Sequence, residues 1–253
     1  MHIDVQGSGP DLVLIHGWAM HGGIFSPLTD LLAAHFRVHV VDLPGHGFSR
    51  DETHFDLAEC ARRVAEAAPR ALWLGWSLGG LVALRVALDR PVNVRGLVMI
   101  ASSPRFVSAP DWPHGVAASV FAELGTELQL RYRHAVERFL ALETMGSAHA
   151  QTELRDLRKR VFERGEPNAC ALSDGLRILD SADLRADLAQ LAMPSLWIAG
   201  RRDRLVSPGA MAWSAAQAPH GAYLEFNSGH APFISHAAEI AAAIGAFATE
   251  LPA

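Results

Sequence analysis

Gly75, Ser77 and Gly79 lie at alternate positions between a short apolar run (Leu72, Trp73, Leu74) and an Ala/Leu/Val segment with helical spacing that begins at Leu78. Few chain paths accommodate that pattern. A strand must end, the backbone must turn sharply, and a helix must start at once, with a serine at the tip. Neighbouring backbone then comes so close that the flanking positions need to lack a Cβ. The turn lifts the hydroxyl off the strand and aims a helix N-terminus at whatever that hydroxyl attacks. The plain alternative is a glycine-rich turn with a capping serine. The strand-like residues before it and the helix formers after it favour the nucleophile elbow.

The chain has 253 residues, half of them hydrophobic. That suffices for one large domain, or for one domain with an insertion. Continuous apolar runs over residues 11–17, 37–43, 96–102, 195–200 and 222–227 read as strands. Helical spacing appears over 25–35 (Phe25, Leu28, Leu31, Leu32), 57–68 and 237–251. Apolar strands alternating with helices predict an α/β fold with a mostly parallel sheet and helices on both faces. Between 104 and 187 the strand-like runs disappear. Residues 127–145 (Leu128, Tyr132, Val136, Phe139, Leu140, Leu142) and 152–164 (Leu154, Leu157, Val161, Phe162) have helical spacing instead. The expected organisation is a core of 1–103 and 188–253 with a helical cap, 104–187, inserted between two strands.

A net charge of -5 argues against a nucleic-acid partner. Cys60 and Cys170 are too few for a disulfide framework, and reduced thiols in a cytoplasmic protein are the simpler reading. The N-terminus reaches Asp4 early and its first apolar run is short, so neither a secretory signal nor a membrane span is expected. The thirteen histidines form no spacing typical of metal ligands. No metal or organic cofactor is expected.

A serine hydroxyl is a poor nucleophile until a base takes its proton, and the base needs an orienting carboxylate. After an elbow serine these follow in the order acid, then histidine. Asp203 lies just past a strand end and His230 in the loop after the next strand, where open α/β sheets place their sites. For Asp203 alone a solvated loop acid or helix cap would be the ordinary reading. Its position together with His230 favours a triad with Ser77. His220 and His236 are the rival histidines and read as surface residues; His114, His134 and His149 fall in the cap. A tetrahedral intermediate needs two backbone N–H donors. Leu78, following the serine, supplies one, and Trp18, in His16-Gly17-Trp18 after the first of these apolar runs, supplies the other. Trp18 could equally be a pocket wall. His16 reads as a residue that fixes this loop rather than as a base. Asp42 also follows a strand, but Ser77 occupies the elbow, which points to acyl transfer to water.

Four segments resemble a particular family of the α/β-hydrolase superfamily: His16-Gly-Trp-Ala-Met-His21, Gly75-Trp-Ser-Leu-Gly-Gly80, Arg138-Phe-Leu-Ala-Leu-Glu-Thr-Met-Gly146 and Ser228-Gly-His-Ala-Pro-Phe233. Together they are similar to the pimeloyl-[acyl-carrier protein] methyl ester esterases of biotin synthesis. The resemblance spans the whole chain and implies a serine carboxylesterase with the α/β-hydrolase fold. Its substrate would be a seven-carbon acyl chain on a carrier protein, the far carboxyl masked as a methyl ester. It implies an acyl pocket of Trp18, Ser77, Leu78, Phe139, Leu140, Ala141, Leu142, Glu143 and His230. For Leu140, helix packing is an equal reading. The family commonly reads Phe-Leu-Ala-Leu-Gln where this chain ends in Glu143, and a carboxylate accepts hydrogen bonds but donates none. An acidic carrier calls for a basic surface, and Arg138 and Arg155 in the cap are the expected contacts. A monomer is expected. A general short-chain esterase, a C–C bond hydrolase of the same fold, and a non-catalytic ligand receptor remain the alternatives.

Overall fold

The structure is a computed structural model that describes residues 1–145 and 150–252. The apolar runs pair into one sheet of strands β1 (His2–Gln6), β2 (Asp11–Ile15), β3 (Arg37–Asp42), β4 (Ala71–Trp76), β5 (Val94–Ile100), β6 (Ser195–Gly200) and β7 (Gly221–Phe226). Their spatial order is β1-β3-β2-β4-β5-β6-β7. Only β1 runs antiparallel to its neighbour. From Leu12 to Ile15, and throughout β4, successive side chains are all buried. That requires cover on both faces.

The helices outside the long connection are α1 (Ser26–Leu32), α2 (Leu57–Ala67), α3 (Leu78–Asp89), α8 (Pro208–Gln217), α9 (Pro232–Ser235) and α10 (Ala237–Thr249). Helix α3 packs on β4 and β5, α2 on α3, α1 on α10, and α8 on β6 and β7. After β2 the chain adds β3 on one side and then crosses to place β4 on the other. The carboxyl ends of β2 and β4 are therefore neighbours at a reversal of strand order, with Ile15 paired to Gly75. Such a point opens a crevice in an α/β sheet.

Between β5 and β6 lie α4 (Ser119–Leu130), α5 (Tyr132–Thr144), α6 (Ala150–Val161) and α7 (Ala169–Ser181), and no strand is found there among the described residues. The spacing over 127–145 predicts one helix; the structure has two. The chain leaves the helical region at Arg131 (φ −150°, ψ 71°), and α5 packs back on α4. Buried Leu124, Leu128, Ala135 and Phe139 follow one another at helical intervals of four, seven and four residues through the break, so periodicity alone could not reveal it. Arg138 seals the seam by bonding Glu127 and Glu123 of α4. The far end of α6 is tied to the sheet. Arg164 bonds Asp42 at 3.0 Å and Asp4 at 2.7 Å, while His21 donates to the Arg160 carbonyl at 2.7 Å.

At Gly75 the elbow folds back on its own backbone. A Cβ there would meet the Gly79 carbonyl and the Gly80 Cα. We expect Gly75→Ala to cost ~1–3 kcal/mol of stability through backbone displacement. Thermal denaturation should show a clearly lowered Tm, and an unchanged Tm would contradict the close approach.

Candidate active site

Ser77 joins β4 to α3 with φ 54° and ψ −122°. A non-glycine residue at positive φ is strained, and such strain persists only where its surroundings hold it. Here the Ser77 N–H donates to the Ile100 carbonyl at 3.1 Å, and the Ser102 hydroxyl donates to the Ser77 carbonyl at 2.7 Å. Both partners come from the end of β5 and its extension.

The Ser77 Oγ lies 2.8 Å from Nε2 of His230, and Nδ1 of His230 lies 2.7 Å from Oδ2 of Asp203. An ionised Asp203 can only accept, so Nδ1 carries the proton and Nε2 is the free base facing the hydroxyl. The other Asp203 oxygen accepts the N–H groups of Leu205 at 2.8 Å and Val206 at 3.0 Å. The carboxylate is thereby fixed in position and orientation. The two loops can meet because Gly200 lacks a Cβ, which would collide with the Gly229 carbonyl. The Arg202 N–H bonds the Ser228 carbonyl across the same junction, and the Trp76 indole N–H holds the His230 carbonyl at 2.8 Å. Trp76 and Ser102 are supports that sequence reasoning missed. Trp76 sits inside the elbow motif itself, whereas nothing marked Ser102.

Leu78 is the first residue of α3, so its N–H has no intrahelical acceptor and points out from the helix N-terminus. Trp18 lies in the loop after β2, the strand next to β4. Its indole N–H donates to the Leu172 carbonyl of α7 at 2.8 Å, and its ring meets Phe139 edge-on at 4.7 Å. Beneath this loop His16 is fully buried. Burial, aided by neighbouring His46, pushes its pKa down to about 3. The neutral ring accepts the Leu43 N–H at Nε2 (3.0 Å), so Nδ1 donates to the Gly17 carbonyl (2.8 Å). His16 is thus a loop fastener. Asp42 is no nucleophile: its buried carboxylate is taken up by Gly22 N–H, Phe48 N–H and Arg164.

Of the cap segment, Phe139, Leu140 and Glu143 are buried, while Ala141 and Leu142 are half-buried. The helical turn puts Ala141 on the side of α5 away from Phe139. Gly146 of the same motif, and His149, lie outside the described residues. Glu143 is enclosed near Asp203. Burial first, and the charge of Asp203 second, raise its pKa well above 4.5, and the uncharged acid is a donor. The structure places Arg138 and Arg155 differently from one another. Arg138 is internally neutralised by Glu127 and Glu123, whereas the Arg155 side chain is 77% exposed with only a 3.8 Å approach to Asp156. Ser77 itself is only 1% exposed.

The sequence profile of the family described as alpha/beta hydrolase fold matches residues 10–237. The pimeloyl-[acyl-carrier protein] methyl ester esterase of Xanthomonas campestris pv. campestris (strain B100) is 54% identical over 254 residues, covering 100% of both chains. The protein of the same description from Stenotrophomonas maltophilia (strain K279a) is 56% identical over 253 residues, covering 99% of this chain and 97% of the relative. Among solved structures, an esterase from Exiguobacterium antarcticum matches with a TM-score of 0.90 at 19% identity, covering 98% of this chain and 95% of that one. The enol-lactonase from Burkholderia xenovorans LB400 matches with a TM-score of 0.86 at 20% identity, covering 98% and 96%. These two share the fold. The chain belongs to the α/β-hydrolase family and, within it, to the family of the pimeloyl-[acyl-carrier protein] methyl ester esterases.

Proposed function

We propose that this protein is a serine carboxylesterase that hydrolyses the methyl ester of pimeloyl-[acyl-carrier protein] in biotin synthesis, releasing methanol. The hydrogen-bonded line from Ser77 through His230 to Asp203 carries the reaction class. Identity of 54% from end to end with proteins of that description supports the substrate.

His230 Nε2 takes the Ser77 proton as Oγ attacks the ester carbonyl carbon. The carbonyl oxygen becomes an oxyanion and is bound by the Leu78 and Trp18 N–H groups; one such donor is worth about 3 kcal/mol. The C–OCH3 bond breaks, and His230 returns the proton to the leaving oxygen, giving methanol. Water, deprotonated by His230, then attacks the acyl-enzyme, and the acid product leaves from Ser77. Asp203 holds the Nδ1–H tautomer and stabilises the imidazolium in both halves. Residues 104–187 serve as the cap, and its buried Phe139 and Leu140 suit a methylene chain.

The carrier docks, on this reading, on α6. Arg155, Arg158 and Lys159 are exposed at positions i, i+3 and i+4 of that helix. Among the described residues Arg158 and Lys159 enter no ion pair. They present uncompensated positive charge to an acidic partner, as Arg138 does not.

Two experiments test these statements. Wild type and Ser77→Ala are assayed on the carrier-bound methyl ester; the variant should lose roughly a millionfold in kcat. A wild type that leaves this ester intact while hydrolysing a p-nitrophenyl ester would sink the substrate assignment. The double variant Arg155→Glu, Lys159→Glu should raise KM for the carrier-bound ester roughly tenfold at low salt, converging on wild type at high salt. Its kinetics on a p-nitrophenyl ester should not change. Equal KM values at low salt would place the carrier elsewhere.

A further inference from the structure

Gly175 is the middle residue of α7 and is buried. Glycine is a poor residue for a helix interior, because it has the most backbone freedom to lose. Space explains it here. A Cβ at Gly175 would lie 2.7 Å from Cδ1 of Trp18, 3.2 Å from its Nε1 and 3.3 Å from Cδ2 of Leu78. Trp18 and Leu78 are the two residues whose N–H groups bind the oxyanion in the reaction proposed above. Gly125 of α4 and Gly245 of α10 are helical glycines with room to spare. A Cβ at Gly125 would stand 4.0 Å from Leu176, and one at Gly245 would meet nothing within 4 Å.

Trp18 cannot simply yield. It is fully buried, its indole N–H donates to the Leu172 carbonyl at 2.8 Å, and Phe139 meets its ring edge-on. Leu172 and Gly175 are one turn apart on α7, so the edge of the indole that carries Nε1 and Cδ1 bears on that helix at both places. The backbone beneath this ring is strained. Trp18 and Ala19 form the corners of a turn closed by the Met20 N–H on the Gly17 carbonyl at 3.3 Å, and Ala19 stands at φ 62° without being glycine. Such a turn persists only where its surroundings hold it. One hold is His16, whose Nδ1 donates to the same Gly17 carbonyl. A second is α7, through the indole.

We propose that Gly175 is a positioning residue for the oxyanion hole: by carrying no side chain it lets α7 seat the Trp18 indole, and the seat fixes where the Trp18 N–H meets the developing charge. This rests on the esterase reading above. Helix α7 lies in the long connection between β5 and β6, so that connection takes part in the chemistry without touching the reacting atoms. A Cβ at this position pushes the indole off the Leu172 carbonyl and carries the Trp18 backbone with it. An oxyanion donor acts on charge that exists only in the transition state. A misplaced donor therefore lowers kcat and leaves ground-state binding of the ester nearly as it was.

The test measures kcat and KM of wild type, Gly175→Ala, Trp18→Phe and their double variant on the carrier-bound methyl ester and on a p-nitrophenyl ester, with Gly245→Ala as control. Trp18→Phe keeps the backbone donor and removes the bond to Leu172. Gly175→Ala should lose roughly tenfold to a hundredfold in kcat, less than full removal of a donor, with KM within about twofold of wild type. Its affinity for an alkyl trifluoromethyl ketone, which binds as a tetrahedral Ser77 adduct bearing the oxyanion, should weaken by the same factor. Trp18→Phe should also lose kcat. The double variant should lose less than the product of the two single losses, since both break one seat. Gly245→Ala should keep wild-type kinetics and raise Tm, a gain that Gly175→Ala should not share. The proposal is overturned if Gly175→Ala keeps wild-type kcat, if its loss lies in KM, or if the two single losses multiply. Should Gly175→Ala fail to fold, Trp18→Phe decides alone, and an undiminished kcat overturns the proposal. A wild type inactive on both esters would overturn the esterase reading itself, and the positioning role with it.

Discussion

The strained turn at Ser77 is the constraint that the rest of the structure serves. A serine with φ 54° relaxes unless both flanking segments are immovable. Strand β4 is hydrogen-bonded on both sides by β2 and β5, and α3 is buried for most of its length. The turn therefore has nowhere to go. Ser102 and Ile100 bond its backbone from β5, and the hydroxyl is left as the one part of the residue free to reach outward. The β2 loop and the loops after β6 and β7 can be variable in course, provided that they deliver an N–H, a carboxylate and an imidazole to that hydroxyl.

What was legible in the sequence follows from that rigidity. Strands β2 to β6 are continuous apolar runs because both of their faces are covered, and the elbow is conspicuous because close backbone contact demands glycine. Asp203 and His230 could be found because strand ends are readable and the order of the triad is known once the elbow is. Strand β1 was not legible. It is a half-buried edge strand that alternates His2, Ile3, Asp4 and Val5, and it gains its place only by pairing with β3. Helices α7 and α8 were passed over, and α4 and α5 ran together, since their break at Arg131 has neither glycine nor proline.

Side-chain chemistry was less legible still, because it depends on burial. Arg138 and Arg155 look alike in sequence. In the fold one is spent on Glu123 and Glu127 and the other projects into solvent. Glu143 reads as a charged residue until its surroundings are known. Enclosed beside Asp203, with no buried cation among the described residues, its carboxyl is pushed well above the usual carboxylate range. The same letter in a solvated loop would have the opposite hydrogen-bonding character.

The cap is fastened unevenly, and this bears on how a buried serine meets a carrier-bound chain. Around the end of α6, Arg164 spans Asp42 and Asp4, Arg50 donates to the Arg164 carbonyl, and His21 donates to the Arg160 carbonyl. Separating Arg164 from buried Asp42 would strand a charge in the interior, which is among the costlier changes a fold can undergo. The face of α5 over the triad is held instead by apolar contact and by the His230 N–H to Glu143 carbonyl bond. Opening on that side sacrifices apolar contacts at Phe139 and Leu140, which methylene groups can replace in kind. The contact of Phe139 with Trp18 therefore yields at smaller cost than the Arg164 anchor beyond the far end of α6.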